Sequence, residues 1–297
     1  MSPLRPSKYM TESSAPMAPT AGCYFCGPVR NCAPYLERVF ANIETLGDAV
    51  FGGAYKIIVF YDESSDATLD ILKKYQARVG SDKFVFYVNR GHRAAYRTHR
   101  IAYARNYCLN YIRAERLYPL FAMLDFDDVN AKMVHPDVLR KYLNGGRAAK
   151  WDALSFNTAP HYYDIWGLSI YPYCYSYNHF RNNARFYNII KDYVEGRLKV
   201  AKVRGQLLSC ISAFNGFAIY RLDAFNGCKY DGRTNPLLIP TNMMVAHMRA
   251  AESPVIYPVY AGVADCRFED CEHRAFHVQG FLRNGARIRI APECLFT

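Results

Sequence analysis

Apolar positions in this chain fall into short unbroken runs separated by stretches of helical period. AGCYFCGPVRN predicts a strand ending at Gly27-Pro28, and KIIVFY (56–61), KFVFYV (83–88) and LFAML (120–124) predict three more. Unbroken apolar runs suit strands covered on both faces, as in a parallel sheet. Between them, Tyr35, Leu36, Val39, Phe40, Ile43 and Leu46 share one helix face that Gly47 would end. Leu69, Leu72 and Tyr75 mark a second helix with Ser65 or Asp66 as its cap, and Ile101, Ala104, Cys108 and Ile112 mark a third over about 98–116. Strand and helix thus alternate three times before residue 125. That pattern predicts an α/β fold with a mostly parallel central sheet flanked by helices.

The second half is less regular. HPDVLRKYL reads as a short helix and WDALSFN (151–157) as a further strand of the same sheet. SAFNGFAIYR (212–221) reads as a strand whose glycine marks a close backbone approach, and ARIRIAP alternates like an edge strand. Residues 158–205 are aromatic and basic without a clear period, as a substrate-facing insertion would be. Residues 1–20, rich in Ser, Pro and Thr, predict a disordered tail.

The run LFAMLDFDDVN carries the first chemistry. A core strand ends abruptly in Asp125, Asp127 and Asp128. Ligands of open α/β sheets bind beyond the carboxyl ends of the strands, where these acids fall. Alternation puts Asp125 and Asp127 on one side, able to share a hard divalent cation through oxygen. Without a cation or a basic partner, carboxylates so close raise each other's pKa. A helix cap followed by solvated acids is the plainer reading of the same residues.

Composition adds constraints. A net charge of +11 favours an anionic partner such as a phosphate-bearing substrate, and the scattered Lys and Arg argue against nucleic acid. Twenty-five tyrosines, many between 161 and 193, suit polar ligands such as sugars as well as half-buried surfaces. Cys23-x2-Cys26 and Cys266-x4-Cys271 lack standard zinc spacing, and the ten cysteines read as buried free thiols. No integral membrane segment or signal-peptide core is visible, from which a cytoplasmic location is expected.

Laid in order, PVRNCAPYLERVFANI, YDESSDAT (61–68) and LDFDDVN resemble the opening strand-turn-helix, the "D-D-x-S-x-D-x-T" turn and the DxD element of a GT-A (Rossmann-like) glycosyltransferase, similar to family 2. YDIWGL (163–168), the Phe-Asn-Gly-Phe-Ala core (214–218) and CEHRAFH (271–277) look like segments of fungal mannosyltransferases and large-DNA-virus glycosyltransferases. Tyr61 and Glu63 depart from the Asp and Gly common in family 2. The resemblance implies one GT-A domain over residues 21–297, with a nucleotide-binding half (21–130) and an irregular acceptor-binding half (131–297).

It also implies roles. Asp125 and Asp127 would hold Mn2+ or Mg2+ on the diphosphate of a nucleotide-diphosphate sugar, and Asp62 would meet its ribose or base. Arg100 and Arg105-Asn106 resemble an "R-x-x-x-x-R-N" element, in a loop and helix that also carry Arg90, Arg93 and Arg97 and suit phosphate oxygens. In FEDCEHRAFH, Glu272 is the expected acid–base residue with Asp270 behind it, and His273, ahead of His277, the expected third metal ligand. Tyr163, Asp164 and Trp166, with Tyr162 beside them, would form a platform for a glycan or glycoprotein acceptor. Two other readings stay open: a metal-dependent nucleotidyl- or phosphotransferase, which also uses clustered aspartates, and a catalytically inactive sugar- or nucleotide-binding module.

Overall fold

The apolar runs become strands that share one sheet. In a computed structural model that describes residues 22–91, 94–179, 182–235, 237–252, 254 and 269–297, strands β1 (Cys23–Val29), β2 (Tyr55–Tyr61), β3 (Phe84–Val88) and β4 (Leu120–Leu124) run parallel. The second half adds β5 (Ala153–Asn157), β6 (Leu208–Cys210), β7 (Phe217–Arg221) and β8 (Ile288–Cys294). The order is β3-β2-β1-β4-β7-β5-β8-β6, with β7 antiparallel to β4 and β5, and β6 antiparallel to β8. The tail expected over residues 1–20, Arg93 and Cys266 lie outside the described residues.

Alternation along β1 sends side chains to two cores. Cys23 and Phe25 pack with Leu36, Phe40 and Ile43 of α1 (Ala33–Phe51), Leu72 of α2 (Thr68–Val79) and Leu139 of α4 (Pro136–Leu143). Tyr24 and Cys26 pack with Cys108 and Ile112 of α3 (Arg97–Glu115) on the other face. Both cores exclude water, so each helix buries its apolar stripe.

Several expectations needed correction. Helix α1 runs through Gly47 and stops at Gly52, whose left-handed backbone (φ 60°) ends it. Gly47 is there for packing, because a β-carbon would fall 2.2 Å from the Tyr55 ring. Neither Ser65 nor Asp66 is the cap residue of α2, although Asp66 Oδ1 accepts from Thr68 N (3.0 Å). The 212–221 strand begins only at Phe217, since Asn215 and Gly216 have positive φ. Strand β8 is internal, between β5 and the short β6, so its alternation reflects a half-covered face. The 158–205 stretch contains the long helix α6 (Asn183–Val203). After a four-residue turn α5 (Gly145–Ala148) and helix α7 (Thr241–Ala251), the CEHRAFH segment opens another helix, α8 (Glu272–Asn284).

In α8, His277 is fully buried, with Nδ1 3.0 Å from Ser212 Oγ and Nε2 3.0 Å from the Tyr220 hydroxyl. Ser212 donates its own proton to the Gly167 carbonyl (2.8 Å). Nδ1 must therefore donate to Ser212, and Nε2 accept from Tyr220. Burial, then the charge of Arg274, pushes the His277 pKa down to about 3.

Two outcomes are expected. A β-carbon at Gly27 would lie 2.1 Å from the Leu124 carbonyl oxygen, so Gly27→Ala must pry β1 from β4. It should cost about 1–3 kcal/mol in urea unfolding, and an unchanged midpoint would show that the strands part freely. Between pH 6.5 and about 3 the unfolded chain binds a proton at His277 that the folded chain refuses, so stability falls as pH drops through that window. His277→Gln should make that decline shallower by about 1.4 kcal/mol per pH unit; an unaltered slope would show that His277 titrates freely in the fold.

Candidate active site

The chain builds β1, β2 and β3 outward in one direction and then returns to lay β4 on the other side of β1. At such a switch point the connections leave the sheet in opposite directions and open a crevice beyond the strand ends. A cavity of about 310 Å3 lies there, lined by Pro28 and Val29 at the end of β1 and Arg30 after it, Phe60 near the end of β2 and Asp62 after it, Asn89 after β3, and Asp125, Phe126 and Asp127 after β4. Arg97, Arg100, Ile101, Tyr103 and Ala104 of α3 close one side, and Asn31, Cys32 and Tyr35 another. Asp62, Arg100, Asp125 and Asp127, far apart in sequence, thus face one space.

Asp62 is held in place. Its N–H donates to the Val29 carbonyl (2.9 Å), and its Oδ1 accepts from Asn89 Nδ2 (2.9 Å) and Glu63 N (3.0 Å). Arg30 Nη1 stands 4.0 Å from Oδ2. Arg100 spends Nη1 on the carbonyls of Ala94 (3.0 Å) and Ala95 (3.2 Å), so it braces the loop leading into α3 as well as lining the cavity.

One asparagine fixes the acidic loop and a second fixes the loop beside it. Asp125 N donates to the Gly216 carbonyl (2.9 Å), and Asn130 Nδ2 donates to the carbonyls of Asp125 (2.7 Å) and Gly216 (2.8 Å). Asn215, at φ 58°, accepts from Tyr163 N and Asp164 N through Oδ1 and donates to the Phe156 carbonyl and Thr158 Oγ1 through Nδ2. Gly216 is required here: its φ is +83°, and a β-carbon would lie 2.8 Å from Val129 Cγ1.

Burial and then Asp125 push Asp127 up to about 7, only partly offset by the Val129 N–H on its Oδ1 (3.2 Å) and the more distant Arg105. Asp128 points to solvent. Among the described residues, no three His, Cys, Asp or Glu side chains stand together as an ion site. Asp125 and Asp127 are therefore a two-carboxylate set, the kind that holds Mg2+ or Mn2+ when phosphate oxygens and water supply the remaining ligands. The raised Asp127 pKa fits that use, since a cation would relieve the repulsion that causes it.

Behind the acids lies a buried cation. Arg105 donates through Nη2 to Asp125 Oδ1 (2.8 Å) and through Nε to Glu272 Oε1 (2.9 Å), while its guanidinium carbon sits 4.7 Å from the centre of the Phe214 ring. Glu272, on the first turn of α8, is 5% exposed; burial raises its pKa against the opposing pull of Arg105. His273 is not brought to Asp125 and Asp127 as a third ligand. Its ring lies flat on Phe214 (centroids 3.7 Å apart), and neither nitrogen has a hydrogen-bond partner among the described residues. Its neighbour His277 is bonded into the core. Asp270 is buried and gripped by Arg274 Nε at 3.1 and 3.0 Å; burial raises its pKa, but Arg274 and His179 outweigh it and bring it to about 2.

The expected acceptor residues lie beside the acids. Tyr163 is 43% exposed, and its hydroxyl would stand 3.2 Å from a β-carbon at Gly216. Asp164 accepts from Gly167 N (2.9 Å) and Asn215 N (3.2 Å), which ties it into the loop. Trp166 is half-buried with its Nε1 covered, and Tyr162 is core. Sequence reasoning missed Asn31, Asn89, Asn130 and Asn215. Asn-Gly at 215–216 and the Asn closing LDFDDVN were the available signals, since both residue types tolerate or stabilise tight turns.

Comparison with known proteins places this geometry. A family model described as "Glycosyl transferase family 2" matches residues 25–225. No curated protein sequence matches the chain. Among solved structures, residues 1–349 of TarS from S. aureus align with 12% identity and a TM-score of 0.43, covering 93% of this chain and 59% of that one. The same fragment in complex with UDP-GlcNAc aligns with 11% identity and a TM-score of 0.45, covering 93% and 57%. The mannosyltransferase PcManGT from Pyrobaculum calidifontis, in complex with GDP-Man and Mn2+, aligns with 15% identity and a TM-score of 0.41, covering 92% and 74%. This chain spans less than two thirds of the TarS fragment. The family match runs from within β1, through the acidic loop, to the end of β7 and just past it, so the chain belongs to glycosyl transferase family 2 and has its GT-A type of α/β architecture.

Proposed function

We propose that this protein is a divalent-metal-dependent glycosyltransferase that moves a sugar from a nucleotide-diphosphate donor to a carbohydrate or glycoprotein glycan. The observation that carries the reading is the convergence of Asp62, from the end of β2, and Asp125 and Asp127, from the end of β4, on one cavity at the switch point. Asp62, steadied by Asn89, would meet the nucleoside, with Arg30 and Arg97 as cationic neighbours for the diphosphate. Asp125 and Asp127 would hold Mn2+ or Mg2+, which supplies Lewis-acid stabilisation of the departing diphosphate when bound.

The remaining chemistry belongs to the protein's own groups. Arg105 holds Asp125 in place through Oδ1 at the edge of the cavity. Glu272, with its pKa raised by burial, is the carboxylate suited to take the acceptor hydroxyl's proton where the anomeric centre inverts. Asp270 is assigned to positioning, because a carboxylate held near 2 by a guanidinium is a poor proton acceptor. It accepts from Cys271 N (2.8 Å) and anchors the start of α8, which carries Glu272. Tyr163 and Asp164 flank the acids and would meet the acceptor, with Trp166 behind them.

A panel of nucleoside diphosphates and their sugars, with and without manganese, tests the donor site by thermal shift. A manganese-dependent rise with one nucleotide is expected, lost in Asp127→Asn along with at least about 10²-fold of turnover. No rise with any of them, in folded protein, would sink the donor assignment. Glu272→Gln should keep the nucleotide shift yet lower kcat by about 10²–10⁴-fold. Turnover at the wild-type level would remove Glu272 from the chemistry.

A further inference from the structure

The C-terminal turn of α6 departs from an ordinary solvated helix end. Val200 is 48% exposed and Val203 89%, and they stand among exposed Lys199, Lys202 and Arg204. At helical spacing Lys199, Lys202 and Val203 share one face with Val200 at its margin. The chain following the acidic loop reaches the same place. Met133, 66% exposed beside exposed Lys132, exchanges backbone hydrogen bonds with Thr297 (3.0 and 2.9 Å) just beyond β8. Helix α6 leads into β6, whose first residue Leu208 pairs with Ile290 of antiparallel β8, so the last turn of α6 reaches the same strand end as Thr297 and Met133. Among the described residues, none of Lys132, Lys199, Lys202 and Arg204 has an ion-pair partner, so all four charges face solvent beside the exposed Val200, Val203 and Met133.

We propose that the last turn of α6 and the Lys132-Met133 step form a docking surface for an anionic lipid bilayer. Unpaired cations supply attraction to acidic headgroups, and protruding aliphatic side chains partition into the headgroup–acyl boundary. The aliphatic component selects this occupant over a nucleic acid, because Val200, Val203 and Met133 gain nothing from a phosphate backbone but gain from an acyl boundary. The net charge of +11 acts in the same sense over longer range. Strands β4 and β8 point the same way, so this surface shares the sheet end with Asp125 and Asp127. A bilayer held there would present lipid-borne acceptors beside the cavity mouth. The inference stands apart from the donor assignment, since it rests on none of the cavity residues.

Sedimentation of the full chain with phosphatidylcholine vesicles, with and without phosphatidylserine, tests it. Binding is expected only with phosphatidylserine, weakened by high salt. Each of Lys132→Gln, Lys199→Gln and Lys202→Gln should reduce it about fivefold, with thermal unfolding unchanged. Val203→Ser should weaken the binding that remains at high salt. Absence of binding by folded protein would overturn the proposal. So would equal binding to a DNA duplex that the lysine changes abolish and Val203→Ser leaves intact, which would assign the surface to a nucleic acid.

Discussion

The site depends on one buried cation. Arg105 is 2% exposed and carries its charge between Asp125, just past a strand of the first half, and Glu272, which begins a helix 167 residues beyond Arg105 itself. Burying a guanidinium is costly unless carboxylates meet it with good geometry, and here two do. The same bonds dictate where both acids sit. Removing either partner from such a pair costs about 3–5 kcal/mol because it strands a charge away from water. Arg105 therefore links stability to the placement of the reactive groups, and it works from behind the cavity wall.

Around that link the backbone is held by amide side chains. Asn130 spans the acidic loop and Gly216, and Asn215 spans the Tyr163-Asp164 loop and the end of β5. A loop with fixed hydrogen bonds loses little further entropy when ligand binds, so the acids are ordered before any ligand arrives. Asp127 stays under electrostatic tension, half-buried beside Asp125. The protein keeps its strain at the point where a metal would remove it.

Much of the fold was legible because its physics is local. Unbroken apolar runs marked β1 to β4, and the 3.6-residue period marked α1 to α3. Errors came where local pattern and tertiary need diverged. Gly47 looked like a stop, yet it admits the Tyr55 ring. Helix α6 did carry a period in Phe186, Ile190, Val194 and Leu198, but neighbouring tyrosines and the exposed valines masked it. The first turns of α8 are buried on every side, so no polar face announced a helix. His277, Arg274 and Glu272 are tolerated there only because Ser212, Tyr220, Asp270 and Arg105 meet them.

The sequence by itself determined the parallel first half and the place where its acids leave the sheet. Strand burial follows from hydrophobic spacing, while the strand order that lays β4 beside β1, and so brings Asp62, Asp125 and Asp127 to one crevice, belongs to the tertiary structure. Tertiary structure decided the partners. Asp270 went to Arg274, His277 to two hydroxyls and His273 to the face of Phe214, while Glu272 went to Arg105. Glu272 meets Arg105 across 167 positions and His277 meets Tyr220 and Ser212 across 57 and 65, and contacts between such distant residues leave no trace in local spacing; only the i,i+4 pair of Asp270 and Arg274 is local.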